Sequence, residues 1–217
     1  MKICGIRDGV TARIAAEAGA RALGFVFAAS PRRIEPEAAA RIVADLGLDV
    51  ALVAVFRHPS AREVERVLDL FPADIVQAEP GPGLTAARAL GVGILPVLHD
   101  GEGEWEPSER PGGEPTPVLL EASGVGGRGI RPDWDRAAAL ARRRPLVLAG
   151  GLTPENVQEA IRHVDPAAVD VSSGVESSRG VKDLARVRAF VAAAHAEWPA
   201  GARTGEKIRP VFERAAQ

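Results

Sequence analysis

Two groups in this 217-residue chain are placed where they could move protons, the thiol of Cys4 and the carboxyl of Glu121. Cys4 is the only cysteine. It lies in Met1-Lys2-Ile3-Cys4-Gly5-Ile6, an apolar stretch that reads as a buried strand closed by Gly5. A free cysteine is among the most buried residue types, so packing alone is one reading of it. The other is chemical. A thiol has a pKa of about 8.5, and positive surroundings can lower it enough for the sulfur to take a proton from carbon. Glu121 ends a second apolar run, Val118-Leu119-Leu120-Glu121. A carboxyl sheltered in a cleft holds its proton to higher pH and can donate it, whereas a solvated or arginine-paired one does neither.

Two small-residue turns could supply an anion site. Ala149-Gly150-Gly151-Leu152 and Ser172-Ser173-Gly174-Val175 each offer backbone N–H groups, and such turns after the last two strands of a barrel bind phosphate in many enzymes. A single such loop is equally well a tight turn; the pair points to phosphate. Arg32, in Ser30-Pro31-Arg32-Arg33, offers a planar fork of donors suited to a substrate carboxylate, or is a surface charge. An acid and a base on opposite sides of a phosphorylated sugar describe an isomerase.

The elements that must position these groups alternate along the chain. Strands are expected near residues 2–5, 22–27, 50–56, 74–77, 92–97, 118–121, 146–149 and 167–171. Helices are expected over 9–18, 36–46, 60–70, 85–90, 132–143, 153–163 and 183–195. Pro36 and Glu37 open one helix, and Ser60 is the expected N-cap of another. Residues 100–117 are rich in Gly, Pro and Glu, so a surface loop is expected where a helix would follow the fifth strand. Ser123 to Ile130 reads as a Gly-rich mobile loop. Residues 1–197 form one domain in this reading, and 198–217 are a C-terminal extension of unknown role, with room for one short helix.

Alternation of this kind implies parallel strands joined by helical crossovers. Eight units in about 200 residues fit a (β/α)8 barrel, an α/β fold known as the TIM barrel. An open doubly wound sheet is the runner-up, but no G-x-G-x-x-G follows the first strand, and the glycine turns come after the last strands. In a barrel, Cys4, Arg32, Gln77, Glu79, Glu121, Gly150, Gly151, Asp170, Ser173 and Gly174 all fall at the C-terminal mouth, with Cys4 and Glu121 across the axis from each other.

Composition narrows the function. With 46% hydrophobic and 26% charged residues the chain is that of a globular protein. A net charge of -2 speaks against general nucleic-acid binding, and no apolar run is long enough for a membrane span. No charged leader with an apolar core is seen at the start. One cysteine permits no internal disulfide, which fits a reducing cytoplasm. His58, His99, His163 and His195 are scattered, and with Cys4 make no metal-ligand cluster.

Lys2-Ile3-Cys4-Gly5-Ile6, Leu23-Gly24-Phe25-Val26-Phe27, Ser30-Pro31-Arg32, Leu148-Ala149-Gly150-Gly151-Leu152 and Val169-Asp170-Val171-Ser172-Ser173-Gly174-Val175-Glu176 resemble, in that order and spacing, the phosphoribosylanthranilate isomerases of tryptophan biosynthesis. The resemblance spans residues 2 to about 195. It implies a cofactor-free, metal-free barrel, monomeric or homodimeric, acting on a small phosphorylated substrate. The reaction implied is the Amadori rearrangement of N-(5-phosphoribosyl)anthranilate to 1-(2-carboxyphenylamino)-1-deoxyribulose 5-phosphate. By the same resemblance Cys4 is the base, Glu121 stands in the place of the acid, Arg32 holds the anthranilate carboxylate, Asp170 is an active-site carboxylate, and Gly150, Gly151, Ser173 and Gly174 bind phosphate.

Three positions depart from the family pattern. Glu121 replaces an Asp. Gln77-Ala78-Glu79-Pro80 stands where the family reads Gln-Leu-His-Gly, so a histidine is lost. Arg7 replaces a Thr, and would lower the pKa of Cys4 if it pointed inward. A barrel that keeps its phosphate site with an altered substrate, or with lost turnover, is the alternative these departures leave.

Overall fold

Apolar residues two apart along each short run build two separate packed layers, one inside a barrel and one outside it. The computed structural model describes residues 1–47, 49–101, 115–122, 129–198 and 211–212. Eight parallel strands close into a ring in chain order: β1 (Lys2–Cys4), β2 (Ala22–Val26), β3 (Ala51–Val55), β4 (Ile75–Ala78), β5 (Gly93–His99), β6 (Val118–Glu121), β7 (Leu146–Leu148) and β8 (Ala168–Val171). The helices are α1 (Gly9–Glu17), α2 (Pro36–Ala44), α3 (Ala61–Leu68), α4 (Pro82–Ala89), α5 (Trp134–Ala141), α6 (Val157–Val164) and α7 (Leu184–Glu197). The fold is the expected (β/α)8 barrel.

The strand period of two decides which side chains reach the axis. Leu23, Phe25, Leu52 and Ala54 pack outward with the helices, while Ala22, Val26, Ala51 and Val53 belong to the interior cluster. The same alternation turns Leu95, Val97 and Leu119 inward. It therefore also sends inward the polar residues that continue those faces: Lys2 with Cys4, Gln77, His99, Glu121 and Asp170. Polar side chains on the axis of a barrel need partners there, which is why they collect at its mouth.

Helix starts follow local chemistry. Ser60 caps α3 as expected, in a reciprocal box with Glu63. Asp8, Asp133 and Asp183 cap α1, α5 and α7 by accepting from backbone N–H groups. Most element boundaries shift from expectation by a few residues, three of them as follows. α4 begins at Pro82, three residues early, since proline suits the first helical turn. α6 begins at Val157, because Thr153 to Asn156 form a turn in which the Thr153 N–H donates to Asn156 Oδ1 at 2.8 Å. β5 runs to His99 rather than Val97. A hairpin of β9 (Glu176–Ser178) and β10 (Val181–Lys182) follows β8 and was not expected, since strands this short leave no period to read.

The loop expected in place of a helix after β5, the Gly-rich loop after β6 and the helix expected in the tail fall largely at 102–114, 123–128 and 199–217, outside the described residues apart from 211 and 212. Val211, buried, and Phe212 pack against the interior cluster. No helix among the described residues is long and apolar enough to cross a membrane.

Candidate active site

Cys4 ends β1 beside Gly24 of β2, its neighbour in register. A Cβ on Gly24 would lie 2.9 Å from the sulfur and 3.0 Å from Lys2 Cε, so the glycine makes room for both side chains. Lys2 is fully buried on the same face of β1 and donates to Asp170 Oδ1 at 2.8 Å; the two residues are register partners across the β1–β8 seam. Burial works to strip the Lys2 proton, but Asp170 and Cys4 outweigh it and hold the ammonium above its usual range.

The thiol does not behave as expected. Burial pushes Cys4 up from its ordinary value; Lys2 and Lys182 pull it down, Asp170 adds to the rise, and the net shift is upward. Two cations do not offset desolvation of a sulfur that is 6% exposed. Arg7 does not contribute: it is exposed, and its Nη1 donates to the Pro31 carbonyl at 3.2 Å.

A second buried network flanks the thiol. Lys182 donates to the Ser172 carbonyl at 2.9 Å and to Glu176 Oε1 at 3.0 Å, and the Ser172 hydroxyl donates to the Cys4 carbonyl at 3.1 Å. Arg32 grips Glu176 in a fork, Nε to Oε1 at 2.6 Å and Nη2 to Oε2 at 2.9 Å. Burial opposes ionisation of Glu176, but Arg32, the Gly180 N–H and Lys182 outweigh it and hold its carboxyl down to about 2. Two of the three Arg32 nitrogens are thus spent on Glu176. Its stem lies against Gly5, where a Cβ would sit 2.7 Å from Arg32 Cδ; with φ at +81°, Gly5 is needed for the turn as well.

Across the mouth, Glu121 ends β6 as expected, and its register partner is His99 of β5. His99 Nδ1 lies 3.6 Å from Glu121 Oε1, and His99 Nε2 lies 3.4 Å from Glu79 Oε1. Arg57 Nε lies 3.9 Å from the same Glu79 oxygen. Burial raises the Glu121 carboxyl to about 7; Asp170 and Glu79 act in the same direction, with His99 and Lys2 opposing. Its proton therefore stays on to near-neutral pH. Buried Gln77 Oε1 and Glu79 Oε2 have no hydrogen-bond partner among the described residues, so acceptors stand ready on this side of the mouth.

The glycine turns converge. A Cβ on Gly174 would lie 1.8 Å from the Leu152 carbonyl oxygen, so the turns after β7 and β8 touch backbone to backbone. Gly150 and Gly151 take φ of +85° and +61° and lie against residues 129–132 of the segment after β6. Asn156 Nδ2 donates to the Gly151 carbonyl at 2.9 Å, and Arg186 Nε to that of Gly174 at 3.1 Å, pinning both turns. Neither Gly150 nor Gly151 donates its N–H to a backbone carbonyl among the described residues. Gly174→Ala is expected to cost about 1–3 kcal/mol of stability, because backbone and not a flexible side chain must yield; thermal unfolding of the variant checks it.

Cys4, Arg32, Gln77, Glu79, Glu121, Gly150, Gly151, Asp170, Ser173 and Gly174 thus lie on, or just after, the barrel strands, whereas Arg7 is exposed. Lys2, Lys182, Glu176 and His99 were missed as site residues. For Lys2 and His99 a signal existed, since each lies two residues from an inward-facing neighbour; for Glu176 and Lys182 the hairpin gave none.

A closed (β/α)8 barrel with Cys4, Glu121 and a set of buried charged side chains at the ends of its strands has the architecture of a TIM-barrel enzyme. The family model described as N-(5'phosphoribosyl)anthranilate (PRA) isomerase matches residues 1–193. An N-(5'-phosphoribosyl)anthranilate isomerase of Roseiflexus sp. (strain RS-1) is 43% identical, over 90% of this chain and 97% of its own; that of Geotalea uraniireducens is 41% identical over 88% and 96%. The crystal structure of phosphoribosyl anthranilate isomerase from Thermus thermophilus superposes with a TM-score of 0.76 at 35% identity, over 90% of this chain and 98% of that one. A crystal structure of the isomerase in complex with reduced 1-(o-carboxyphenylamino)-1-deoxyribulose 5-phosphate has a TM-score of 0.73 at 33% identity, over 90% and 97%. The chain belongs to the N-(5'-phosphoribosyl)anthranilate isomerase family.

Proposed function

We propose that this barrel converts N-(5'-phosphoribosyl)anthranilate to 1-(2-carboxyphenylamino)-1-deoxyribulose 5-phosphate, with Glu121 as acid and Cys4 as base. Glu121 gives its proton to the furanose ring oxygen; the C1–O bond breaks, and the nitrogen lone pair forms a C=N bond at C1. Cys4, as thiolate, removes the proton from C2, and the electrons return to nitrogen through a new C1–C2 double bond. The resulting enol tautomerises to the ketone. Arg32 holds the anthranilate carboxylate through the nitrogen Glu176 leaves over, and Asp170 keeps Lys2 charged beside the sulfur. Gly150, Gly151, Ser173 and Gly174 take the phosphate of a small phosphorylated substrate. A monomer and a homodimer are both compatible with this site; a solved structure of the Thermotoga maritima relative describes monomers made from a dimeric enzyme.

The observation that carries this reading is the placement of Cys4 and Glu121 at the ends of β1 and β6 of one closed ring, with burial raising the Glu121 carboxyl to about 7. The test is turnover of freshly prepared phosphoribosylanthranilate by the purified protein, followed by loss of its fluorescence. Ordinary enzyme rates are expected. A folded protein that binds the product and turns nothing over would support the altered-substrate alternative.

The pH dependence has a definite sign. The working form carries a thiolate at Cys4 and a proton on Glu121. Glu121 titrates at about 7, while the thiol is held above its ordinary value. Below pH 7 the thiolate fraction grows with pH while Glu121 stays neutral, so kcat/KM rises. Between the two pKa values gain and loss cancel and the profile is level; above the thiol's pKa only the loss of acid remains and it falls. A kcat/KM profile that instead falls from pH 7 would invert the assigned order of the two groups.

A further inference from the structure

His99 is not among the residues given a part in the chemistry so far, yet it occupies the space between two carboxylates. The strand period turns it toward the axis, and register sets it beside Glu121. Its side chain is 10% exposed. Each ring nitrogen faces one carboxylate, Nε2 to Glu79 at 3.4 Å and Nδ1 to Glu121 at 3.6 Å. Nε2 is within hydrogen-bond distance of Glu79, whereas Nδ1 is buried without a hydrogen-bond partner among the described residues and faces Glu121 just beyond that distance, a gap of the kind that closes when substrate binds. An imidazole anchored at one nitrogen by a carboxylate, with the other nitrogen facing a second, is placed to pass a proton to it.

The geometry points to His99 as the positioning residue for the acid: anchored by Glu79, it orients the Glu121 carboxyl and returns a proton to it after each turnover. The proton bookkeeping is simple. Once Glu121 has protonated the ring oxygen it is a carboxylate facing Nδ1–H. That proton moves to Glu121 Oε1, leaving a neutral ring whose Nε2–H still donates to Glu79. The ring regains a proton from solvent at the mouth. Glu79 acts through the ring, and Arg57 Nε lies 3.9 Å from the same Glu79 oxygen.

The electrostatics of the site agree in direction. The groups acting on Glu121 are His99 from β5, Glu79 beyond β4, Asp170 from β8 and Lys2 from β1, and His99 is the strongest of those holding its proton affinity down. The ring's contribution also explains how this chain can carry Glu79 where the family pattern has a histidine: the imidazole comes from the next strand.

This inference rests on the proposed isomerase function, and the experiment separates the two. The wild-type protein, His99→Asn, Glu79→Gln and the double variant are assayed for kcat, KM and their pH dependence, and the Glu121 side-chain carboxyl is titrated by carbon NMR without substrate. Expected for His99→Asn are a fall in kcat of about tenfold or more with KM within about twofold, and an upward move of both the low-pH limb of kcat/KM and the Glu121 titration. Glu79→Gln, the milder change, moves kcat the same way by less, and adds nothing to His99→Asn in the double variant, as residues acting through one another do. Wild-type turnover with an unmoved Glu121 titration and unchanged kcat in His99→Asn overturns the role of His99 alone, as do fully additive effects. Absent wild-type turnover overturns the isomerase reading and this inference with it. If His99→Asn fails to fold, Glu79→Gln decides: unaltered kcat and unaltered pH dependence overturn the proposal.

Discussion

Glu121→Gln is expected to lower kcat by about a hundred- to ten-thousandfold with little change in KM. The amide keeps the shape of the side chain but has no proton to give, and general acid catalysis is worth about that factor. Opening the ring requires protonation of its oxygen, and the residue assigned to it is the one whose carboxyl burial raises to about 7. The limb of the kcat/KM profile near pH 7 should vanish from the residual activity. Glu121→Asp restores the residue type of the family but withdraws the carboxyl by one methylene from His99, now 3.6 Å away. A displacement of about 1 Å can cost on the order of 100-fold, so this variant should be slower than wild type and not faster. Steady-state kinetics on both variants, with the protein shown to be folded, check the prediction; full activity in Glu121→Gln would remove Glu121 from the mechanism.

The second large effect belongs to the thiol. Cys4→Ser is expected to lower kcat by at least about a thousandfold, because a hydroxyl gives up its proton far less readily than a thiol and cannot serve as the base. Binding of a phosphorylated product analogue, measured by calorimetry, should survive within a few-fold, since the turns after β7 and β8 are pinned by Asn156 and Arg186 and not by the sulfur. Lys2 stays paired with Asp170 in the variant, so folding should be preserved. Undiminished turnover would reassign the base; joint loss of turnover and ligand binding would mean that the substitution damages the site rather than the chemistry.

Much of this was readable from residue types and spacing. Alternating apolar runs and helix caps gave eight strands and the helices between them, because each element is short and its boundaries are chemical: Ser60 and Pro36 stand where they were expected to. The mouth followed from the barrel alone. What escaped came from two causes. Strand ends are set by pairing with neighbours, so β5 reached His99 because β6 offered Glu121 as a register partner, and Pro96 with the loop signal after Asp100 hid this. Networks between distant segments leave no local trace. Nothing near Arg32 announces that Glu176, 144 residues on, will occupy its fork. Residue type likewise misled about the thiol: nearby cations suggested a lowered pKa, and burial, which only the fold reveals, outweighed them.

The Lys2–Asp170 contact joins residues 168 apart in the chain, across the seam where the first strand meets the last. During synthesis β1 exists long before its partner, with one strand edge unsatisfied and an ammonium that cannot enter the interior without a counter-charge. That group stays hydrated until Asp170 has been made, and the sulfur two residues along stays with it. The ring cannot seal early around an incomplete chain, and the thiol acquires its charged surroundings only when β8 docks. A chain ending before β8 lacks Asp170, Ser172, Glu176 and Lys182, so most of the polar groups around Cys4 in the finished barrel come from the last part of the chain to be made.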